Sequence, residues 1–148
     1  MITRIEIKNF RSIKQADVKL APLVLLYGPT ASGKSSLLYA MLVLKNFVVN
    51  PNRPSDGLFH LGFMDLGGFE ECVFNHESSR AVEITVHQDE GQQRALYSIA
   101  LAKNEATLRL ALRDVSLKGT VPIPYGLNQT FPFAYTRGEE EYQINWNG

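Results

Sequence analysis

The chain has 148 residues, of which 45% are hydrophobic and 20% are charged, and its fifteen Lys and Arg balance fifteen Asp and Glu. This length and composition fit one globular domain and exclude a disordered, collagen-like or coiled-coil chain. No apolar stretch reaches the ~18 residues of a membrane span, and no signal-peptide pattern is found at the N-terminus. The single cysteine, Cys72, can form no internal disulfide, so we expect a cytoplasmic protein without membrane contact.

The charge is unevenly distributed along the chain. Residues 1–50 contain seven Lys and Arg against two Asp and Glu, whereas residues 51–148 contain eight against thirteen. A basic first third suits contact with an anion such as a nucleotide or nucleic acid, and it also fits an ordinary solvated surface. Charge alone leaves both interpretations open.

The first fifty residues predict three strands and a helix, in that order. Apolar and polar residues alternate over 2–7 and again over 16–20, which predicts two antiparallel strands joined by a turn. The continuous apolar run 23–27 predicts a strand buried on both faces. A helix is predicted over 34–49, ended by the prolines of 50–54. Its predicted core-facing stripe comprises Leu37, Leu38, Met41, Leu42 and Leu44.

The rest of the chain predicts loops and short strands. Residues 51–80 are expected to form a loop segment, and residues 81–148 a β-rich part. The strands predicted there lie at 82–87, 95–102, 106–112 and 131–135. One strong helix among about eight strands does not make a complete doubly wound α/β domain.

A phosphate-loop motif lies between the predicted buried strand and the predicted helix. Residues 28–35 read G-P-T-A-S-G-K-S and match G-x-x-x-x-G-K-[ST]. Glycines let the backbone curl so that successive N–H groups surround a phosphate, and the helix start adds its positive dipole end. The chain is therefore predicted to bind a nucleoside triphosphate. The predicted contacts are Gly28, Pro29, Thr30, Ala31, Ser32, Gly33, Lys34, Ser35 and Ser36.

Two side chains of the motif have predicted chemical roles. Lys34 would reach the β- and γ-phosphates and is the candidate catalytic residue, while the Ser35 hydroxyl would hold Mg²⁺. The expected cofactors are therefore a nucleoside triphosphate and Mg²⁺.

The segment upstream of the motif indicates which phosphate-loop family is involved. Residues 2–13, I-T-R-I-E-I-K-N-F-R-S-I, resemble the opening of the SMC/RecF-like branch of ABC-type ATPases. That branch includes SMC proteins, RecF, RecN, a double-strand-break repair ATPase and the OLD-type nucleases. Residues 63–73, F-M-D-L-G-G-F-E-E-C-V, resemble a segment of OLD-like ATPases classed as AAA proteins.

The resemblance implies an α/β P-loop NTPase fold and two further residues of the nucleotide site. The chain would be the N-terminal lobe of an ABC-type ATPase head, with a mixed sheet around one P-loop helix and an antiparallel β subdomain. In the branch, the F-[RK]-[SC] turn lies beside the nucleotide, which implies that Arg11 and Ser12 contact it and that the nucleotide is ATP.

Parts that this family needs for hydrolysis are not found in the sequence. No apolar run ends in the Asp-Glu pair of a Walker B strand, and the serine-glycine signature motif is missing. The resemblance therefore implies a C-terminal lobe, from the same gene or a separate chain, and a head-to-head dimer. DNA repair, maintenance or defence, with DNA and a nuclease as partners, is the implied setting. The 148 residues alone are expected to bind ATP with little turnover.

Two other interpretations stay open at the level of sequence. The first is another class of P-loop enzyme: the loop G-P-T-A-S-G-K-S also resembles that of tRNA dimethylallyltransferases, and a small-molecule kinase is the other possibility in this class. The second interpretation is a non-enzymatic, nucleotide-gated module that docks DNA or a protein. Four basic residues of the first two strands would form its DNA patch: Arg4, Lys8, Lys14 and Lys19.

Overall fold

The computed structural model describes residues 1–49, 55–90, 93–103, 105–112, 115–122, 131–137 and 140–146. Eight strands lie in this part of the chain: β1 Ile2–Phe10, β2 Ile13–Lys19, β3 Val82–Glu90, β4 Gln93–Leu101, β5 Glu105–Leu112, β6 Val115–Pro122, β7 Phe131–Arg137 and β8 Glu140–Trp146. The helices are α1 Lys34–Val49, α2 Ser55–Leu58 and α3 Phe69–Cys72, followed by a 3₁₀ turn at Phe74–His76.

The first six strands form one sheet in the order β2-β1-β3-β4-β5-β6, and β7 pairs with β8. Every pairing among these strands is antiparallel. Strand β1 lies inside the sheet, because it pairs with β2 on one edge and with β3 on the other. Consecutive strands from β3 to β6 are neighbours, as in a meander.

Alternation of apolar and polar residues explains the pairing of β1 with β2. Ile5 lies opposite Val18 and Ile7 lies opposite Ala16, so the apolar side chains share one face of the ladder. At the end of β1 the backbone of Asn9 enters the left-handed region, with φ 55°. The strand then turns and Phe10 is fully buried.

Helix α1 packs its apolar side against the sheet. Its bounds confirm the helix predicted over 34–49. The buried positions are Ser36, Leu37, Ala40, Val43, Leu44 and Phe47. Their spacing of three and four residues defines one helix face. The predicted stripe was wrong at Leu38, which is 53% exposed because the packed face is centred on Ala40 and Val43 instead.

The segment predicted as a loop contains short helical turns that complete the core. Phe59, Leu66 and Phe69 are buried there together with the β1 side chains. An isolated antiparallel bridge joins Phe10 to Val73 and ties this segment to the end of β1. The segment is therefore a packed wall of the domain.

The strand predicted over 23–27 is not formed. All residues from 21 to 30 are exposed and none of them lies in a strand; Leu25 is 79% exposed and Tyr27 is 93% exposed. A strand buried on both faces needs hydrogen-bonding neighbours at its edges and packing layers above and below. No described strand pairs with this segment, so its apolar composition alone does not place it in a sheet.

The expected mixed sheet is wrong for the described residues, because their pairings are all antiparallel. The strands predicted at 82–87, 95–102, 106–112 and 131–135 are confirmed as β3, β4, β5 and β7, with small differences in their bounds. Strands β6 and β8 were not predicted. The residues at 50–54, expected to end α1, lie outside the described part of the chain.

The described part of the chain contains no helix that is long and apolar enough to span a membrane.

Candidate functional site

The phosphate-loop motif forms an exposed turn that leads directly into α1. Gly28 has φ 145° and Gly33 has φ 91°, values that glycine adopts without the steric cost of a side chain. Ala31, between them, has φ 63°. The curled loop ends at Lys34, the first residue of α1, where the N–H groups of a helix have no acceptor within it. The loop and the helix start are therefore placed where a phosphate would meet free backbone N–H groups.

The ammonium group of Lys34 lies within the loop. Its Nζ donates hydrogen bonds to the carbonyl oxygens of Pro29 at 2.6 Å and Gly28 at 3.0 Å, and lies 3.3 Å from the Ser32 hydroxyl. These acceptors are neutral, so the loop holds the positive charge without neutralising it. An anion entering the loop would compete with carbonyl oxygens for this ammonium group.

The next two residues of α1 differ in their surroundings. Ser35 is exposed and lines the cavity at the helix start. Ser36 is buried, and its hydroxyl lies 3.3 Å from the hydroxyl of Ser12. Ser35 is therefore accessible to a ligand, whereas Ser36 connects the helix to the β1–β2 turn.

The β1–β2 turn packs closely against the phosphate loop. A Cβ placed on Gly33 would lie 3.3 Å from Cγ1 of Ile13 and 3.4 Å from the Ser12 hydroxyl oxygen. The first distance is shorter than an ordinary van der Waals contact, and the second is at the lower limit of that range. Gly33 is therefore required for its backbone conformation and for the approach of the turn.

Arg11 lies in the same turn and its backbone is held from the other side. Its φ is 52°, and its N–H donates a 2.7 Å hydrogen bond to the carbonyl oxygen of Cys72. The guanidinium carbon lies 5.8 Å from the ring centroid of Tyr39, in α1. Arg11 thus links the turn, the helix and the end of α3.

A cavity of about 840 Å³ lies between these elements. This is within the range of small-molecule sites. The residues lining it are Arg11, Ser12, Ala31, Ser32, Gly33, Lys34, Ser35, Ser36, Tyr39, Asp65, Leu66, Gly67, Glu71, Val73, Asn75 and His76. Most predicted contacts are therefore brought together, while Gly28, Pro29 and Thr30 are exposed and do not line it.

The wall opposite the phosphate loop carries two carboxylates. Asp65 accepts a 2.9 Å hydrogen bond from the N–H of Gly67, and Glu71 lies 3.8 Å from the His76 ring. Glu70 points elsewhere: it forms a 2.7 Å ion pair with Lys103, whose hydrogen bond lowers the pKa of Glu70. The cavity thus has a basic side and an acidic side.

The cysteine beside Arg11 is not a reactive group. Cys72 is fully buried, and its thiol lies 3.5 Å from the carbonyl oxygen of Leu66. Burial raises the pKa of the Cys72 thiol to about 11, against a smaller opposing effect of the Arg11 guanidinium. Among the residues that the structure describes, no group of three or more His, Cys, Asp or Glu side chains is placed to hold a metal ion.

The residues of the site fit a nucleoside triphosphate with Mg²⁺. The curled loop would place its N–H groups around a phosphate, and the exposed Ser35 hydroxyl at the helix start is available as a Mg²⁺ ligand. The positive side chains of Lys34 and Arg11 both line the cavity. When bound, Mg²⁺ would neutralise part of the phosphate charge.

Two of the four basic residues proposed for a DNA patch are paired with carboxylates. Arg4 forms a bidentate contact with Asp17 at 2.6 and 2.7 Å, which lowers the pKa of that carboxyl group. Lys8 forms a 2.7 Å ion pair with Glu83, which raises the pKa of the lysine. The exposed face of β1–β3 therefore has little excess positive charge.

Sequence reasoning missed Tyr39 as part of the site; it singled out Asp65, Glu70 and Glu71 only as residues to mutate if the catalytic acid lies in this chain. Tyr39 lies in an apolar helix pattern that gives no sign of contact with Arg11. The wall had a weak signal in the D-L-G-G-F-E-E run, since glycines at 67 and 68 with positive φ permit the turn that brings Asp65 and Glu71 to the cavity.

The loop, the helix behind it and the cavity define a P-loop NTPase. The sequence profile of the AAA ATPase domain family matches residues 1–113, about three quarters of the chain, and the chain belongs to this family of nucleotide-binding domains.

A curated relative gives a second comparison. The chain is 28% identical over 127 residues to the OLD nuclease of Thermus scotoductus (strain ATCC 700910 / SA-01). The match covers 82% of this chain and 22% of the relative, so the chain spans about a fifth of that protein's length.

Proposed function

We propose that this chain is the ATP- and Mg²⁺-binding N-terminal lobe of an ABC-type ATPase head of the SMC/RecF-like branch. The observation that carries the proposal is the meeting of two sequence motifs at one cavity. The phosphate loop at 28–36 and the F-R-S turn at 10–12 are separate in sequence, and both contribute residues to the cavity lining. Their combination is what the branch resemblance requires.

Three side chains would do the binding chemistry. Lys34 would exchange its carbonyl acceptors for the β- and γ-phosphate oxygens, which are stronger, charged acceptors. The Ser35 hydroxyl would be a ligand of Mg²⁺, which would neutralise part of the phosphate charge. Arg11 would pair its planar guanidinium with phosphate oxygens from the turn side of the cavity.

Hydrolysis would need a second lobe that supplies a Walker B acid and a signature motif, together with dimerisation of complete heads. The exposed apolar segment 23–27 supports this proposal. Five consecutive apolar or aromatic residues next to a phosphate loop form a segment without strand neighbours in the described chain, and strands of a C-terminal lobe would complete it. Asp65 and Glu71 are the carboxylates of the cavity that would have to act if this lobe were sufficient alone.

A link to DNA repair, maintenance or defence is proposed from the family resemblance and from the similarity to the OLD nuclease. The chain spans about a fifth of that relative, and we propose that a nuclease activity would belong to another part of such a protein. DNA and a nuclease are accordingly proposed as partners of the complete head.

The test combines a nucleotide titration with a turnover assay on the purified 148-residue chain. Calorimetry with ATP and Mg²⁺ is compared for the unchanged chain, Lys34→Ala and Lys45→Ala. Lys45 is the matched control, because it is an exposed lysine of the same helix outside the cavity. We expect binding by the unchanged chain and by Lys45→Ala, and a loss of at least about 100-fold for Lys34→Ala.

The turnover assay separates the half-site from a complete enzyme. Phosphate release far below ~1 per second, the low end of ordinary enzyme rates, is expected for the chain alone. Lys34-dependent turnover at ordinary rates would show that the catalytic acid lies in this chain, and Asp65→Asn and Glu71→Gln would then identify it. Equal ATP affinity for Lys34→Ala and Lys45→Ala would refute the binding site itself.

A further inference from the structure

The side chain of Arg11 is stacked over an aromatic ring rather than paired with an acid. Its guanidinium carbon lies 5.8 Å from the ring centroid of Tyr39, within the ~6 Å at which a ring face attracts a cation. Both residues line the cavity that contains the phosphate loop. The contact joins residues of two different elements, the β1–β2 turn and α1.

This stacking leaves the positive charge of Arg11 available to an anion in the cavity. Two other arginines of the described chain are neutralised, Arg4 by Asp17 and Arg80 by Glu77, each at 2.6 Å. None of the salt bridges found among the described residues includes Arg11. A ring can orient a guanidinium without supplying a counter-charge, so an anion in the cavity still finds a full positive charge.

The backbone of Arg11 is fixed, and the side chain is the part that needs orientation. The N–H of Arg11 is bound to the Cys72 carbonyl at 2.7 Å, and the next residue, Ser12, contacts Ser36 at 3.3 Å. Beyond this anchored backbone an arginine has many rotamers, whose loss opposes binding unless the free protein already restricts them. The Tyr39 ring provides such a restriction.

Tyr39 itself is held in place by its neighbours. It lies between the buried residues Leu37 and Ala40 of α1 and is half-buried against the core. The ring of Phe63 lies 6.4 Å away, tilted by 50°. A ring on a packed helix, with a second ring beside it, restricts the positions of a flexible side chain that stacks on it.

We propose that Tyr39 is a positioning residue that holds the Arg11 guanidinium at the cavity, ready to pair with the phosphates of the bound nucleotide. The proposal rests on the nucleotide-binding function proposed above and adds a residue to it. Tyr39 acts through Arg11 and has no direct contact with the nucleotide in this scheme.

The test is a double-mutant cycle on ATP and Mg²⁺ affinity, measured by calorimetry on the full 148-residue chain. Arg11→Ala should weaken binding about tenfold or more, as expected for loss of a charged hydrogen bond. Tyr39→Met, which removes the ring with little change in bulk, should weaken it about two- to fivefold. In the Arg11→Ala background Tyr39→Met should have no further effect, and Tyr39→Phe should bind like the unchanged chain.

A second measurement changes the electrostatics of the ring at position 39 while keeping its shape. A phenylalanine fluorinated on its ring, placed at position 39, has a weaker negative face and nearly the same volume as phenylalanine. Affinity should fall with increasing fluorination when Arg11 is present and stay constant in the Arg11→Ala background. This series remains informative if Tyr39→Met does not fold.

The outcomes separate the two proposals. Equal losses from Tyr39→Met with and without Arg11, or affinity independent of fluorination, would overturn the positioning role while leaving the nucleotide site intact. Both the site and the positioning role would be overturned if the unchanged chain did not bind ATP, or if Lys34→Ala did not change the ATP affinity.

Discussion

The hydroxyl oxygen of Ser12 lies 3.3 Å from the hydroxyl oxygen of Ser36. Ser12 belongs to the turn between β1 and β2, and Ser36 to the first turn of α1, where it is buried. This contact joins the two motifs from which the function was inferred. It makes the position of the turn depend on the position of the P-loop helix.

Removing one hydroxyl of this pair should destabilise the domain. Ser12→Ala leaves the buried Ser36 hydroxyl without this contact, so we expect the free energy of unfolding to fall by about 1–2 kcal/mol. Urea denaturation followed by circular dichroism measures the change. In the double variant with Ser36→Ala the total loss should be smaller than the sum of the two single losses. Additive losses would show that the two hydroxyls do not interact.

Gly33→Ala should affect both stability and binding. The φ of 91° is unfavourable for alanine, and the new Cβ would press on Ile13 and Ser12 at 3.3 and 3.4 Å. We expect a loss of about 2 kcal/mol or more in the free energy of unfolding and a loss of ATP binding.

The matched control for this glycine is Gly62, which has φ 87° and no heavy atom within 4 Å of the position that a Cβ would occupy. Gly62→Ala should therefore cost only the backbone strain, about 1 kcal/mol, and leave ATP affinity unchanged. Equal effects of the two substitutions on affinity would argue against the close approach of turn and loop.

Much of the site could be predicted because its signals are local in the chain. The phosphate loop depends on residue types at fixed spacing, and the structure places that loop at the start of α1 as the motif requires. The pairing of β1 with β2 was predictable for a similar reason, since Ile5 and Ile7 on one strand and Ala16 and Val18 on the next mark a shared buried face.

Features that depend on distant partners were not predictable. Strand β6 was missed for a local reason instead: it pairs with β5, its neighbour in the chain, but Gly119 and Pro122 weaken its strand pattern. The stack of Arg11 on Tyr39 joins residues far apart in sequence, and no periodicity marks it. For residues 23–27 the prediction of a strand was wrong. Their apolar composition indicated burial, but no strand of the described chain pairs with them.

Ser35→Ala should separate Mg²⁺ binding from phosphate binding. Ser35 is exposed at the helix start, so its hydroxyl is not part of the packed core. We expect the free energy of unfolding to change by less than about 0.5 kcal/mol. ATP should bind the variant equally well with and without Mg²⁺, whereas Mg²⁺ should strengthen binding to the unchanged chain. A titration of each protein in EDTA and in excess Mg²⁺ measures this. Retained Mg²⁺ enhancement in the variant would rule out Ser35 as a ligand.

Stability at alkaline pH should depend on Cys72. Burial raises the pKa of the folded thiol from 9.0 to about 11. Well below pH ~9 the thiol is protonated in both states, and its contribution to stability is fully present. As the pH rises towards ~11 the unfolded chain ionises and the folded chain does not, which favours unfolding. The unchanged chain should therefore lose about 2 kcal/mol more than Cys72→Ala between pH ~8 and pH ~11. Parallel pH dependences in urea denaturation would contradict the raised pKa.

Substitution in the apolar segment should not destabilise the isolated chain. Leu25 is 79% exposed, so Leu25→Lys removes little packing, and the free energy of unfolding should change by less than about 0.5 kcal/mol. Leu37→Ala in the buried face of α1 is the contrasting variant and should cost about 2–5 kcal/mol. Urea denaturation of both variants measures these values. A large loss for Leu25→Lys would mean that the segment is already buried in the free chain, and it would remove the main support for a second lobe that pairs with it. A small loss would show that the segment is exposed in the free chain, as the proposed pairing with a second lobe requires.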